Sequence, residues 1–318
     1  MRAPDAMVAL DVVSKRYGRK EVLHEVSLSV ERGECLALVG HNGAGKTTLI
    51  KLMLGLTRPS AGRILIEGED PAGRAATARR AAIGVLPESV AFHNAMTGRE
   101  VLAFYARLKG QSTAVCDELL ERFGLAEAAA QRVGTYSKGM RQRLGLAQAV
   151  MGAPRLLLFD EPTSGLDPAF RQSFYELLSR QRDLGTTAII SSHALTEIEA
   201  RADRVAIMNQ GRLVACGGLE GLRAAARLRT RLRITVKPGE TGRVAEALGS
   251  FADMQRVNDR TLDLTCPAAG KMALVRHITS LGPVVEDLDI RPPSLEEIYQ
   301  TFAAGEGETG EGATGEGS

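Results

Sequence analysis

The chain is poor in the residues that mark several protein classes. It has four cysteines in 318 residues, Cys35, Cys116, Cys216 and Cys266, none in a CxxC pair and none at metal-ligand spacing from a histidine. That spacing excludes a disulfide framework and a cysteine-based zinc site, and it fits a reducing compartment. Its nine methionines form no helical stripe, so no copper or other soft-metal site is expected in the chain itself. Charge of one sign is missing too: 40 Lys and Arg against 38 Asp and Glu leave a formal net charge of +2. Without a basic field there is little to recruit nucleic acid by phosphate neutralisation. No apolar run approaches the about 18 residues of a membrane span, and the N-terminus MRAPDAMVALDVV lacks a basic segment followed by an apolar signal core. A cytoplasmic protein is expected.

What remains is globular material, 44% hydrophobic and 25% charged, long enough for about two domains. Val8 to Val13, Val22 to Val30 and Cys35 to Val39 read as β-rich runs broken by Gly18 and Gly33. Beyond Gly45, Leu49, Leu52, Met53 and Leu56 fall at helical spacing until Pro59 and Gly62 stop the pattern. Residues 97–151 read as nearly all helical. Short apolar runs at Arg155 to Phe159 and Thr187 to Ser191, separated by an amphipathic helix at Ala169 to Leu184, predict a parallel sheet covered on both faces. Beyond residue 228 the order βαββαβ predicts a small ferredoxin-like α+β domain. The expected division is a nucleotide-binding domain at 1–225 with a helical subdomain at about 89–153, an accessory domain at 228–303, and a disordered Gly/Glu/Thr tail at 304–318.

Chemistry concentrates in Gly40-His41-Asn42-Gly43-Ala44-Gly45-Lys46-Thr47-Thr48, which fits GxxxxGK[ST] between an apolar strand and a helix. Such a P-loop turns backbone N–H groups towards phosphate oxygens. Lys46 would reach the β and γ phosphates, and the Thr47 hydroxyl would ligate Mg²⁺. Downstream, Leu156 to Phe159 run straight into Asp160 and Glu161. Asp160 is placed to hold Mg²⁺ and Glu161 to polarise an attacking water, which makes hydrolysis the expected reaction.

Between and beyond these lie Tyr136-Ser137-Lys138-Gly139-Met140, Ser164-Gly165-Leu166-Asp167 and His193. With them the sequence resembles the ABC ATPase family over about residues 7 to 218. The resemblance implies an α/β P-loop cassette with an antiparallel β subdomain and a helical subdomain. It further implies that Tyr17 stacks on adenine, that Ser137, Lys138, Gly139 and Asp167 act in trans on ATP held by a second copy, and that His193 holds the γ-phosphate. With one cassette per chain, an ATP-dependent homodimer beneath a separate integral-membrane permease is expected, peripheral on the inner face of a bacterial cytoplasmic membrane. The segment Ser89 to Lys109, with Phe92, His93, Phe104 and Tyr105, would receive the permease. The family pattern is broken in two places: Glu88 stands where a glutamine is usual, still able to ligate Mg²⁺ but adding negative charge, and Lys138 and Met140 alter the LSGGQ-type signature. Slower or more Mg²⁺-sensitive turnover is expected.

The C-terminal domain, ending in Arg291-Pro292-Pro293-Ser294-Leu295-Glu296-Glu297-Ile298-Tyr299, resembles the extension of ABC-2 type exporter ATPases. Within that group the chain looks most similar to the branch serving nitrous oxide reductase maturation. That implies supply of a sulfur or copper species, with a periplasmic accessory protein reached through the permease. A drug, lipid or polysaccharide exporter of the ABC-2 group is the alternative; a soluble ABC protein of translation or repair is disfavoured by the single cassette and near-neutral charge. The basic stretch Arg223, Arg227, Arg229, Arg231 and Arg233 reads as a solvated face, with anionic lipid or an acidic partner as the alternative.

Overall fold

Two long strands open the described chain, β1 (Ala6–Tyr17) and β2 (Lys20–Glu31), paired antiparallel, with β4 (Ala61–Ile66) on the other side of β1. The computed structural model describes residues 6–73, 79–193, 195–249 and 252–304. The chain divides into two compact units, Met1–Gly217 and Gly218–Ser318. That division precedes the boundary read at 225–228, because helix α7 (Leu219–Ala225) belongs with the second unit, where Arg223 Nε donates to the Pro293 carbonyl at 2.8 Å.

The first unit is built round a six-stranded sheet, adding β3 (Cys35–Val39), β5 (Ile83–Leu86), β6 (Leu156–Asp160), β7 (Thr187–Ser192), β8 (Arg204–Asn209) and β9 (Arg212–Gly217) in the order β5-β6-β7-β3-β8-β9. The first five are parallel and β9 turns back antiparallel. The β8 to β9 turn takes Gln210 and Gly211 through positive φ, as a two-residue hairpin requires. Every residue of β3, β6 and β7 is buried, the reason these strands read as continuous apolar runs rather than alternating ones. Leu36, Leu38, Leu158 and Ile189 share one core with Val8, Val13, Val26 and Val30 of the antiparallel sheet and with Leu49, Leu52 and Met53 of helix α1 (Lys46–Met53).

Three expectations need correction. Helix α1 stops at Met53, with Gly55 at φ 65°, so Leu56 lies outside it and is exposed. Strand β4 was not expected at all. The inserted lobe is less helical than its periodicity suggests: it holds α2 (Gly98–Leu108), α3 (Val115–Arg122) and α4 (Lys138–Val150), and α3 reaches α4 across residues 123–137 through turns and one short 3₁₀ segment. Helix α5 (Pro168–Asp183) and the short α6 (Leu195–Glu199) complete this unit.

In the second unit, β10 (Arg229–Val236), α8 (Thr241–Leu248), β11 (Asp253–Arg256), β12 (Thr261–Pro267), α9 (Lys271–Ser280) and β13 (Val285–Arg291) follow the order βαββαβ. Their antiparallel sheet runs β11-β12-β10-β13, the ferredoxin-like arrangement. Residues alternate along β10: Thr230, Leu232, Ile234 and Val236 are buried, whereas Arg229, Arg231 and Arg233 are exposed. Arg229 pairs with Asp253, Arg231 with Glu297 at 2.5 Å and Arg233 with Asp263 at 2.6 Å, so this stripe of cations is charge-balanced. Ala304 closes helix α10 (Leu295–Ala304) rather than opening the tail, and residues 305–318, read as disordered, lie outside the described residues.

Candidate nucleotide site

Three neighbouring strands deliver the site. Because β6, β7 and β3 are adjacent and parallel, with Asp160 opposite Ser191 and Val39 opposite Ser192, the segments that leave them meet at the carboxyl end of the sheet. Ligands of open parallel sheets bind outside that end of the strands. The P-loop leaves β3, Asp160 and Glu161 end β6, and His193 follows β7.

Two glycines make the loop fit. At Gly45, with φ 104°, an added Cβ would stand 2.6 Å from Leu23 Cδ2, and at Gly40 one would stand 2.5 Å from the Met208 carbonyl oxygen. Gly45 caps α1 without a side chain, so the N–H groups of the first turn meet no capping oxygen. Lys46 is buried; its Nζ donates to the Gly40 carbonyl at 2.5 Å and the His41 carbonyl at 3.2 Å. Burial holds its pKa below the usual lysine range, against the opposing pull of Glu161, Asp160 and Glu88. The charge added by Glu88 is therefore felt by Lys46.

The Asp160 carboxylate takes the Thr47 hydroxyl at 2.7 Å and the Ser191 hydroxyl on its other oxygen. Glu161 sits at φ 51°, in the left-handed region that disfavours a side chain. Its N–H holds that conformation by donating to both the carbonyl and the hydroxyl of Ser191, each at 3.1 Å. Glu161 meets His193 Nδ1 at 2.6 Å. Burial raises the Glu161 pKa, and the neighbouring His193 and Lys46 only partly offset that.

A cavity of about 490 Å³ is lined by His41, Asn42, Gly43, Gly45, Lys46, Thr47, Thr48, Glu88, Asp160, Glu161 and His193. Gly40 and Ala44 are buried behind it. The Thr47 hydroxyl with the Asp160 and Glu88 carboxylates forms an all-oxygen donor set, which suits Mg²⁺ completing its shell with phosphate and water. Tyr17 does not line this cavity; it is exposed at the end of β1 with Lys15 Nζ 4.8 Å over its ring. Nor do Ser137, Lys138, Gly139 or Asp167. Within the chain, residues 137–139 meet the loop at 164–165, and Asp167 meets Arg143 of α4. Ser137 caps α4 through the Met140 N–H at 3.1 Å, Lys138 Nζ donates to Ser164 Oγ at 3.1 Å, and a Cβ on Gly139 would touch the Gly165 carbonyl. Asp167 caps α5 through the Phe170 N–H at 2.9 Å and pairs with Arg143 at 2.5 Å.

Residues 23–164 match the family model described as ABC transporter. The daunorubicin resistance ATP-binding protein DrrA3 of Streptomyces coeruleorubidus is 36% identical over 93% of this chain and 95% of its own length. The doxorubicin resistance ATP-binding protein DrrA of Mycobacterium tuberculosis is 34% identical over 94% of each. The chain belongs to the ABC transporter ATP-binding proteins. Among solved structures, an ATP-binding subunit of an ABC transporter superposes with a TM-score of 0.65 at 32% identity, over 69% of this chain and 92% of that one. A bacterial Atm1-family ABC exporter with ATP bound gives 0.63 at 32% identity, over 71% and 41%. As an ABC ATP-binding subunit the chain is an ATPase that pairs with a second such subunit and works with a membrane permease. Among the described residues no helix is long and apolar enough to cross a membrane. Neither curated relative named here carries a nitrous oxide reductase function in its name.

Sequence reasoning missed Ser191, whose hydroxyl joins both acids, and Asn209, whose Oδ1 lies 3.1 Å from His41 Nε2. It also missed Gln142, buried, with Nε2 on the Pro162 carbonyl at 3.0 Å. Each depends on strand register or helix packing rather than on spacing. The only advance signal was polar residues at the ends of otherwise apolar runs.

Proposed function

We propose that this ATPase drives an ABC-2 type exporter of an amphiphilic small molecule of the antibiotic class, working as an ATP-dependent homodimer at the inner face of the cytoplasmic membrane. The observation that supports this reading most is the similarity to drug-resistance ATP-binding proteins along nearly the whole length of both chains, beyond the 23–164 segment common to the family. The maturation of nitrous oxide reductase has no comparable support.

In this reading the N–H groups at the start of α1 and the Lys46 ammonium bind the β and γ phosphates. Mg²⁺, held by Thr47, Asp160 and Glu88, supplies charge neutralisation at the phosphates when bound. Glu161, its basicity raised by burial, accepts a proton from water as the water oxygen bonds the γ-phosphorus and the bond to the β-phosphate oxygen breaks. His193, in contact with Glu161, orients that water. Tyr17 stacks on adenine. Ser137, Lys138, Gly139 and Asp167 meet the nucleotide of the second copy. Phe92, Phe104 and Tyr105 form an aromatic group on the lobe, with Phe104 and Leu108 exposed, which suits an apolar permease element.

A strain lacking the chain tests the cargo. It should retain more of an anthracycline than its parent, and expression of the wild-type chain but not of Glu161→Gln should restore efflux. Unchanged retention together with a copper-deficient nitrous oxide reductase would replace this reading with the maturation one.

A further inference from the structure

The loop Ser164 to Asp167 and the segment carrying His193 lie on different elements, yet one side chain holds both. Arg171, in the first turn of α5, folds back so that Nε donates to the Leu166 carbonyl at 3.2 Å while Nη1 donates to Glu197 Oε1 at 2.7 Å. Glu197 belongs to α6, which begins two residues after His193, and the Leu195 N–H donates to the His193 carbonyl at 3.1 Å. The other Glu197 oxygen accepts the hydroxyl of buried Tyr175 at 3.0 Å, and Arg201 stacks over that ring at 4.2 Å. So α6 is fixed to α5 by a carboxylate with both oxygens engaged, and to the loop by a single guanidinium. At the far end of the loop, Asp167 is tied to Arg143 of α4, whose guanidinium lies 4.2 Å over Phe170, and Ser164 is tied to Lys138. An unbroken set of contacts thus runs from the signature end of α4, through residues 164–167 and Arg171, to Glu197 and the pair His193 and Glu161.

We propose that Arg171 is a positioning residue that makes the seating of the second copy's nucleotide against residues 137–139 and 164–167 set the placement of His193 against Glu161 in its own site. This rests on the reading of Asp167 as acting in trans and of His193 as acting in cis. Arginine suits the task because its planar fork offers two separately directed N–H groups, one for a carbonyl and one for a carboxylate; a lysine offers a point charge. Both Arg171 and Glu197 are partly exposed, so the ion pair alone adds little to stability, and its loss should show in turnover rather than in folding.

The experiment compares Arg171→Met, Glu197→Gln and the double variant in the full chain, each also in a Glu161→Gln background for ATP binding and ATP-driven dimerisation. The expected result is ATP affinity and dimerisation within about threefold of the parent and kcat down about tenfold at an unchanged KM. The loss in the double variant should be no larger than in either single one. As protein concentration rises, activity per subunit should saturate where wild type does, at a lower plateau. Wild-type kcat in Arg171→Met, losses that multiply independently, or a fall in affinity and melting temperature that accounts for the loss of rate would each overturn the proposal. Wild-type kcat in His193→Ala would instead overturn the reading on which it rests, so the two failures are separable.

Discussion

The two units bury polar groups to different ends. In the first, Lys46, Asp160, Glu161, Ser191 and Ser192 are all buried, and all gather at the carboxyl end of central strands that are otherwise mostly apolar. In the second, Thr230 and Thr241 are the buried polar residues among those described, while the charges lie on an open sheet face, each of three arginines against a carboxylate. Burying ionisable groups is costly unless their partners compensate, so a fold keeps such a cluster where chemistry needs it. The first unit carries that cost at the cavity lined by Lys46, Asp160 and Glu161. The second has an apolar core beneath a solvated charged face, and the lipid-binding reading of its arginine stripe loses its basis because Arg229, Arg231 and Arg233 are each paired with a carboxylate.

The comparison can be attacked from either side. The largest effect should come from Leu264→Ala, which opens a cavity in the fully buried core of the second unit and costs about 2–5 kcal/mol of stability. Thermal melts should show this loss while ATP affinity stays within twofold; a matching fall in affinity would break the contrast. Lys46→Ala should do the converse. Losing a charge-assisted hydrogen bond worth about 3 kcal/mol weakens ATP binding roughly 100-fold by calorimetry and leaves the second unit's melting unchanged. The smallest effect is a displacement in pH. In the proposed mechanism Glu161 must be ionised to take a proton, so kcat falls as pH drops through its raised pKa; His193 holds that pKa down, and His193→Ala should push the acid limb of the residual kcat profile to higher pH. An acid limb that stays in place would mean that the contact at 2.6 Å does not tune the base.

Much of the first unit was legible because its chemistry is local. The P-loop needs glycines, a lysine and a hydroxyl within nine residues, and Asp160 and Glu161 adjoin in sequence, so spacing alone pointed to both. The element order βαββαβ likewise pointed to the second unit's sheet, whose strands β10 and β12 carry every other residue into the core. The rest is set by tertiary register. Nothing in residues 187–192 says that Ser191 will face Asp160, since that follows from which strand lies beside β6. Strand β4 escaped notice because only two of its six residues are buried, leaving too little apolar pattern to see. The in-trans role proposed for Ser137, Lys138, Gly139 and Asp167 came through family resemblance, since none of the four lines the cavity of its own chain.

The backbone at Glu161 has an evolutionary corollary. It occupies the conformation that glycine adopts freely and a side chain adopts at a cost of about 1–2 kcal/mol. On the proposed reading of Glu161 as the base, selection for endurance favours a glycine there and selection for turnover a glutamate, so Glu161→Gly should melt higher and turn over far more slowly.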